Sequence, residues 1–198
     1  MALAAVYSSL RLTKLLPGGA KKLFDHVYLF FGAGEAGTGI AQLIASAIEA
    51  DEGVSAEEAR RRIWLVDSRG LVCKARTDSL APHKLPFAHE TNVKFEDSLA
   101  DTITALKVTV LIGASAQAQA FTRQVVDAMS ANAPRPVICA LSNPTEKSEC
   151  TSEQAISWTN GKCIFASGSP YAKVKLSNPD REFTTSQANN AYIFVRFF

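Results

Sequence analysis

Residues 27 to 37 read Val27-Tyr28-Leu29-Phe30-Phe31-Gly32-Ala33-Gly34-Glu35-Ala36-Gly37. The first five are strand formers in an unbroken apolar run, the pattern of a strand buried on both faces of a parallel sheet. From about Ala36 to Ala50 the spacing becomes helical, with Ile40, Leu43, Ile44 and Ile48 expected on one face. Gly-x-Gly-x-x-Gly is a weak signal alone and a specific one when it leaves a strand and opens a helix. Gly32 would allow the tight turn, Gly34 would leave room for a pyrophosphate, and Gly37 would let the helix pack close to the strand. The helix N-terminus offers unpaired N–H groups to phosphates. The segment Gly32-Ala33-Gly34-Glu35-Ala36-Gly37 therefore reads as the phosphate loop of a nicotinamide dinucleotide site.

Outward from this loop, strand and helix alternate. Asp51-Glu52-Gly53 breaks the first long helix, and Ser55 with Glu58 forms a capping box for a short second one. Ile63 to Val66 is a second strand, bounded by Asp67-Ser68-Arg69-Gly70. Residues 74–94 read as a polar loop. A helix is expected over Leu99 to Leu106, a strand over Val108 to Ile112 and a helix over Phe121 to Ala131. A strand follows at Val137 to Leu141, then a helix capped by Thr151 and Gln154 and ending at Asn160-Gly161, then a strand at Cys163 to Ala166. This order predicts a Rossmann-type α/β fold: a doubly wound parallel sheet in a three-layer α/β/α arrangement. The expected organisation is a leading helix and loop over 1–24, a dinucleotide-binding domain over 25–176 and a C-terminal segment over 177–198.

The first 23 residues carry Arg11, Lys14, Lys21 and Lys22 and no acid. That composition suits an organellar transit peptide. Leu3, Val6, Tyr7 and Leu10 also recur at helical spacing before Pro17-Gly18-Gly19, which suits a helix leading into the first strand. Both readings stand at this point. A formal net charge of +2 over 198 residues gives no case for a nucleic-acid partner. The run Arg60-Arg61-Arg62 is explained by a helix C-terminus. No apolar stretch is long enough for a membrane span. Cys73, Cys139, Cys150 and Cys163 have no zinc or C-x-x-C spacing and read as free thiols of a reducing compartment.

Asp67 ends the second strand, where an acid usually holds the ribose 2′-OH and favours NAD. Ser68, Arg69 and Lys84 lie near it in sequence and could instead accept a 2′-phosphate, so the residues alone leave the coenzyme open. Asn143, in Ser142-Asn143-Pro144-Thr145, follows a strand at the end where ligands bind in open α/β sheets. It reads equally as a nicotinamide or substrate contact and as a turn residue. Gln187-Ala188-Asn189-Asn190 is a polar cluster whose plainer reading is a helix cap. His26, His83 and His89 have no triad or ligand setting.

Seven segments together resemble malic enzyme: Phe31 to Ile40, Ile63 to Gly70, Phe87 to Glu90, Ser142 to Thr145, Ser148 to Thr151, Phe165 to Pro170 and Gln187 to Phe194. They fall in that family's order and cover nearly the whole chain. The resemblance implies oxidative decarboxylation of L-malate to pyruvate and carbon dioxide, with NADP or NAD as hydride acceptor and Mg²⁺ or Mn²⁺. Lys84 matches the family's 2′-phosphate lysine and Ser68 its NADP-preferring form, so the resemblance favours NADP. Ser115 falls in the second cofactor loop and Asn143 beside the nicotinamide and substrate. Asn189 and Asn190 match the pair at the substrate pocket.

The resemblance covers the dinucleotide half only. The family's catalytic tyrosine and lysine and its Glu-Asp-Asp metal ligands lie upstream of the first glycine loop, so no catalytic or metal-ligating residue is assigned here. Glu96-Asp97 matches a variable region. The family's second glycine-bearing loop becomes Ser115-Ala116-Gln117-Ala118, which puts a Cβ where backbone needs close approach or positive φ. Its late Gly-Gln becomes Ser186-Gln187, and Phe194, Phe197 and Phe198 end the sequence as an apolar tail. The expectation is a malic-enzyme dinucleotide domain that is inactive without the missing half, with a stand-alone NADP-binding module as the alternative. A cytoplasmic location is expected, with mitochondrion or plastid as alternatives; the family forms homo-oligomers.

Overall fold

The computed structural model describes residues 1–93, 98–177 and 180–189. Asn190, Phe194, Phe197, Phe198 and the Glu96-Asp97 pair lie outside the described residues. Six α-helices are described: α1 (Ala2–Thr13), α2 (Glu35–Glu52), α3 (Ala56–Arg60), α4 (Leu99–Leu106), α5 (Arg123–Asn132) and α6 (Ser152–Trp158). The strands are β1 (Tyr28–Phe31), β2 (Ile63–Asp67), β3 (Gly70–Leu71), β4 (Val110–Gly113), β5 (Val137–Ala140), β6 (Ile164–Ser167), β7 (Val174–Ser177), β8 (Asp180–Phe183) and β9 (Ser186–Gln187).

Seven strands form one sheet in the order β3-β2-β1-β4-β5-β6-β9, and β7 and β8 form a separate antiparallel hairpin. Every neighbouring pair in the large sheet is parallel except β2 with β3. The chain moves outward from β1 to β3, then crosses back to β4 and moves the other way. The reversal between β1 and β4 creates the switch point at which ligands enter such sheets.

Period-2 alternation along each central strand sends side chains into two separate cores. Tyr28, Phe30, Val110, Ile112 and Val137 pack with Val6 of α1 and Ala41, Ile44 and Ile48 of α2. Leu29, Leu111, Ile138 and Ala140 pack on the other face with Ile103, Val125, Val126, Met129 and Ile156 of α4, α5 and α6. This is the three-layer doubly wound arrangement that the alternating apolar runs predict. Both expected capping boxes form, Ser55 with Glu58 at α3 and Thr151 with Gln154 at α6.

Several details differ from the sequence reading. Leu43 is 52% exposed, outside the stripe made by Ile44 and Ile48. Residues 74–94 are not one open loop: Lys74–Ser79 and Pro82–Phe87 are 3-10 helices, and Phe87 is buried. β3, the β7–β8 hairpin and β9 are too short or too polar to stand out in the sequence. Gln187 ends β9, and the residues from 190 onward that a helix cap would precede lie outside the described residues. Residues 2–13 form a helix with Ala2, Val6, Ser9 and Thr13 buried, while Tyr7 turns outward to hydrogen-bond Asp51. Cys139, Cys150 and Cys163 are buried free thiols, and no helix among the described residues is long and apolar enough to cross a membrane.

Two glycines in α2 make a sharp internal comparison. A Cβ at Gly37 would overlap the carbonyl oxygen of Gly32, whereas one at Gly39 meets nothing within 4 Å. Gly37→Ala should lower the melting temperature by roughly 4–10 °C, the scale expected for overpacking in a domain of this size. Gly39→Ala should leave it unchanged or raise it by about 1–3 °C, because alanine is the better helix former. Thermal unfolding of the two variants, read by circular dichroism, checks this; equal effects would contradict the packing.

A second test concerns His26, which is 2% exposed and hydrogen-bonded through Nδ1 to Thr109 Oγ1. Burial pushes its pKa down to about 4; Asp25 opposes the shift and Arg62 reinforces it. A depressed folded-state pKa means the neutral ring stabilises the fold fully above the unfolded histidine value. That stability is lost as pH falls from there through about 4. Between pH 7 and 4.5 the wild type should therefore lose on the order of 2 kcal/mol more stability than His26→Gln in urea titrations. Parallel pH profiles would contradict the assignment.

Candidate functional site

At the switch point the carboxyl ends of β1, β2 and β4 open into a cleft of about 450 Å³. Its walls include Phe31, Gly32, Ala33, Gly34, Asp67, Ser68, Lys84, Ala114 and Ser115. Residues spread over more than 80 positions of sequence thus meet in one place. A hollow of about 550 Å³ lies by Trp64 and His89, and an apolar groove of about 300 Å³ lies beside α1. The glycine loop reaches neither.

The loop's geometry follows from what its glycines lack. Gly32 has φ +116°, and a Cβ there would overlap the backbone of Ala114 and Ser115. β1 can therefore turn against the β4 loop only with no side chain at this position. Gly34 caps α2 and has open space where a Cβ would stand. Gly37 seats the first turn of α2 on Gly32. Glu35, Ala36 and Gly37 supply the N–H groups of that turn, which have no intrahelical acceptor. The helix dipole adds positive potential at the same point.

On the β2 side, Asp67 is held between two cations. Lys84 Nζ lies 2.8 Å from Oδ2, and the Arg76 guanidinium lies 2.9 Å from Oδ1 and 3.1 Å from Oδ2. The Arg69 backbone N–H donates to Oδ1 at 2.9 Å. Burial is the largest influence on the Asp67 carboxyl and pushes its pKa up. The hydrogen bonds from Lys84, Arg69 N–H and Arg76, with the Arg76 charge, outweigh it and leave the group below its usual value. Arg76 also donates to the carbonyls of Gly70 and Leu71, which locks it to β3. With one carboxylate and two cations, the cluster carries a formal charge of +1. Ser68 stands exposed on the cleft wall, and the Arg69 side chain lies off it.

On the β4 side, Ala116 adopts φ +55°. The sequence flags this position as one where the family's glycine has become alanine, and the backbone is indeed left-handed there, a conformation that disfavours a side chain. Asn143 sits on the next shoulder, at the end of β5, rather than on the cleft wall. Its amide donates to Leu141 O at 3.1 Å and its Oδ1 accepts from Ser169 Oγ at 2.8 Å. Asn189 donates to Gly168 O at 3.0 Å, bringing it to the same shoulder. Asn190 is outside the described residues.

Sequence reasoning assigned no site role to Arg76, Gln117 or Glu149, and set His83 aside as having no ligand setting. His83 and Gln117 line the cleft, Arg76 neutralises Asp67, and the wholly buried Glu149 lies beneath Ser115. Nothing in a segment read as loop marks Arg76 or His83. Glu149 belongs to a segment that carries the family resemblance, but nothing local in the sequence marks it as buried. His26 and His89 are occupied structurally, His89 Nε2 by Ile63 O at 2.8 Å. Among the described residues no group of three His, Cys, Asp or Glu side chains could hold a metal ion. The described residues therefore offer no ligand set for the Mg²⁺ or Mn²⁺ that the resemblance implies.

Comparison with known proteins follows the same lines. The chain is 49% identical over 195 residues to a chloroplastic NADP-dependent malic enzyme of Flaveria pringlei, covering 98% of this chain and 29% of that protein. It is 49% identical over 196 residues to NADP-dependent malic enzyme 1 of Arabidopsis thaliana, covering 98% of this chain and 32% of the relative. The chain thus spans about a third of the length of these relatives. The crystal structure of Entamoeba histolytica malic enzyme superposes with a TM-score of 0.64 at 23% identity, over 84% of this chain and 30% of that one. That likeness shows the fold. The family model described as "Malic enzyme, NAD binding domain" matches residues 1–196, and the chain belongs to that family.

Proposed function

We propose that this chain supplies the NADP-binding part of an oxidative decarboxylation of L-malate to pyruvate and carbon dioxide. The observation that carries the proposal is the meeting of the bare glycine loop with the Lys84–Asp67–Arg76 cluster in one cleft. The N–H groups of Glu35, Ala36 and Gly37, and the open face at Gly34, bind the diphosphate. Asp67 does not serve as a ribose 2′-OH acceptor, because both of its oxygens are engaged by cations. Lys84, with the exposed Ser68 nearby, instead receives the 2′-phosphate against a local charge of +1. NAD, with no such phosphate, binds the same cleft more weakly.

NADP supplies the hydride acceptor. Ser115 positions the nicotinamide half from the β4 loop, and Asn143 with Asn189 holds the carboxamide or substrate at the shoulder beside Gly168. Asn190 is assigned with Asn189 on the resemblance. Abstracting the malate hydroxyl proton needs a placed base, and stabilising the enolate needs a metal. In this reading both come from outside these 198 residues, and the isolated chain binds the coenzyme without turning over malate. The "chloroplastic" in the Flaveria relative's name extends the expected cytoplasmic location to the plastid as an equal candidate.

Two measurements check the proposal. Lys84→Gln should lower the ratio of NADP⁺ to NAD⁺ affinity, read by tryptophan fluorescence, on the order of tenfold or more, about 1.4 kcal/mol. An unchanged ratio would refute Lys84 as the 2′-phosphate contact. The wild-type chain incubated with malate, NADP⁺ and Mn²⁺ should form no NADPH. Sustained formation would place the base and the metal site within this chain.

A further inference from the structure

Residues 114–121 follow β4, with Ala114, Ser115 and Gln117 lining the cleft, and are held in an unfavourable shape. Ala116 and Gln119 both have positive φ, at +55° and +58°, without being glycine. Such backbone persists only where its surroundings over-determine it. Those surroundings are largely one segment, residues 142–154. Ser115 donates to Glu149 Oε1 through its N–H at 3.2 Å and its hydroxyl at 3.4 Å. The Ala116 N–H donates to Ser142 Oγ at 2.9 Å, and that hydroxyl in turn donates to Glu149 Oε1. Gln119 N–H reaches Ser148 O at 3.1 Å, and Phe121 N–H reaches Glu149 O at 2.9 Å.

The same carboxylate faces the second loop. Its Oε2 accepts the Ser142 N–H at 3.4 Å, one residue before Asn143. Glu149 is wholly buried, and its side chain fills the space that a Cβ at Gly113 would occupy. A buried carboxylate is costly unless its lone pairs are satisfied. Here the described donors are hydroxyls and amides of Ser115 and Ser142, two residues on two different loops. Losing the acceptor would leave those donors unpaired in the interior.

We infer that Glu149 is a positioning residue that couples the cofactor loop after β4 to the Asn143 shoulder after β5, and so sets where the nicotinamide half of the coenzyme lies. This rests on the reading of the cleft as a dinucleotide site. It separates the two halves of that site. The adenosine half is read by Lys84 and its neighbours, which Glu149 does not touch, while the nicotinamide half depends on the two loops it ties together.

The test compares NADP⁺ with 2′,5′-ADP, which carries the adenosine half alone, on the wild-type chain and on Glu149→Gln, Glu149→Ala and Ser142→Ala. Ser142→Ala is the mildest change and keeps the test valid if the Glu149 variants fold poorly. Amide hydrogen exchange at Ser115 and Ala116 provides a readout that needs no ligand. The expected result is a loss of NADP⁺ affinity of about fivefold or more, the scale of one or two lost buried hydrogen bonds. Affinity for 2′,5′-ADP should stay within about twofold, as expected for distant independent sites. Exchange at Ala116 should accelerate, and Glu149→Gln should retain more affinity than Glu149→Ala because its amide oxygen still accepts. Unchanged NADP⁺ affinity with unchanged exchange would overturn the inference. Proportional losses for both ligands would also overturn it, by showing a general structural role. A wild-type chain that binds 2′,5′-ADP with no added strength for NADP⁺ would overturn the inference and leave the adenosine site standing. Failure of the wild type to bind either would bring down the cleft reading and the inference together.

Discussion

Backbone meets backbone where the first strand ends, with no side chain between. Gly32 turns at φ +116° against Ala114 and Ser115, and Gly37 brings α2 down onto Gly32. This double approach lets β1 and β4 pair in register, Phe31 opposite Gly113, while their following loops diverge. It also points the first turn of α2 into the space so created. The two cores on either face of the sheet stabilise the fold, but they do not by themselves make a cleft. The cleft exists because Gly32, Gly34 and Gly37 carry hydrogen where a side chain would begin.

Charge sets the character of the cleft wall at the end of β2. An acid at the end of β2 reads, by rule, as a ribose ligand. In this chain its two oxygens are spent on Lys84 and Arg76. The same residue that argues for NAD in sequence becomes, in three dimensions, the anchor that holds a lysine at the cleft wall. Arg76 is itself held by the carbonyls of β3, so the short antiparallel strand missed in the sequence contributes directly to the site's electrostatics.

The fold was legible wherever burial repeats at short range. The β1 and β2 runs, the helical stripe of α2 and the capping boxes at Ser55 and Thr151 all announce themselves within ten or so residues. The site was legible in part. The glycine loop, Asp67, Ser68, Lys84 and Ser115 do come together, and the departure at Ala116 falls on a left-handed residue. What stayed hidden depends on long-range pairing. Two-residue strands such as β3 and β9 have no periodicity to read. Arg76 gains meaning only when the chain folds back on Asp67, and Glu149 only when residues 142–154 pack beneath the β4 loop. Leu43 shows the reverse error, an apolar residue at helical spacing that faces out.

In the proposed reading a dinucleotide lies across the carboxyl ends of β1, β2 and β4, with its diphosphate at the start of α2. The most direct measurement is an amide NMR titration of the chain with NADP⁺. Saturable shifts are expected, concentrated at Gly32 to Gly37, Asp67 to Arg69, Lys84 and Ser115 to Gln117. No shifts at saturating coenzyme, or shifts gathered around Trp64 and His89 or beneath α1, would contradict it.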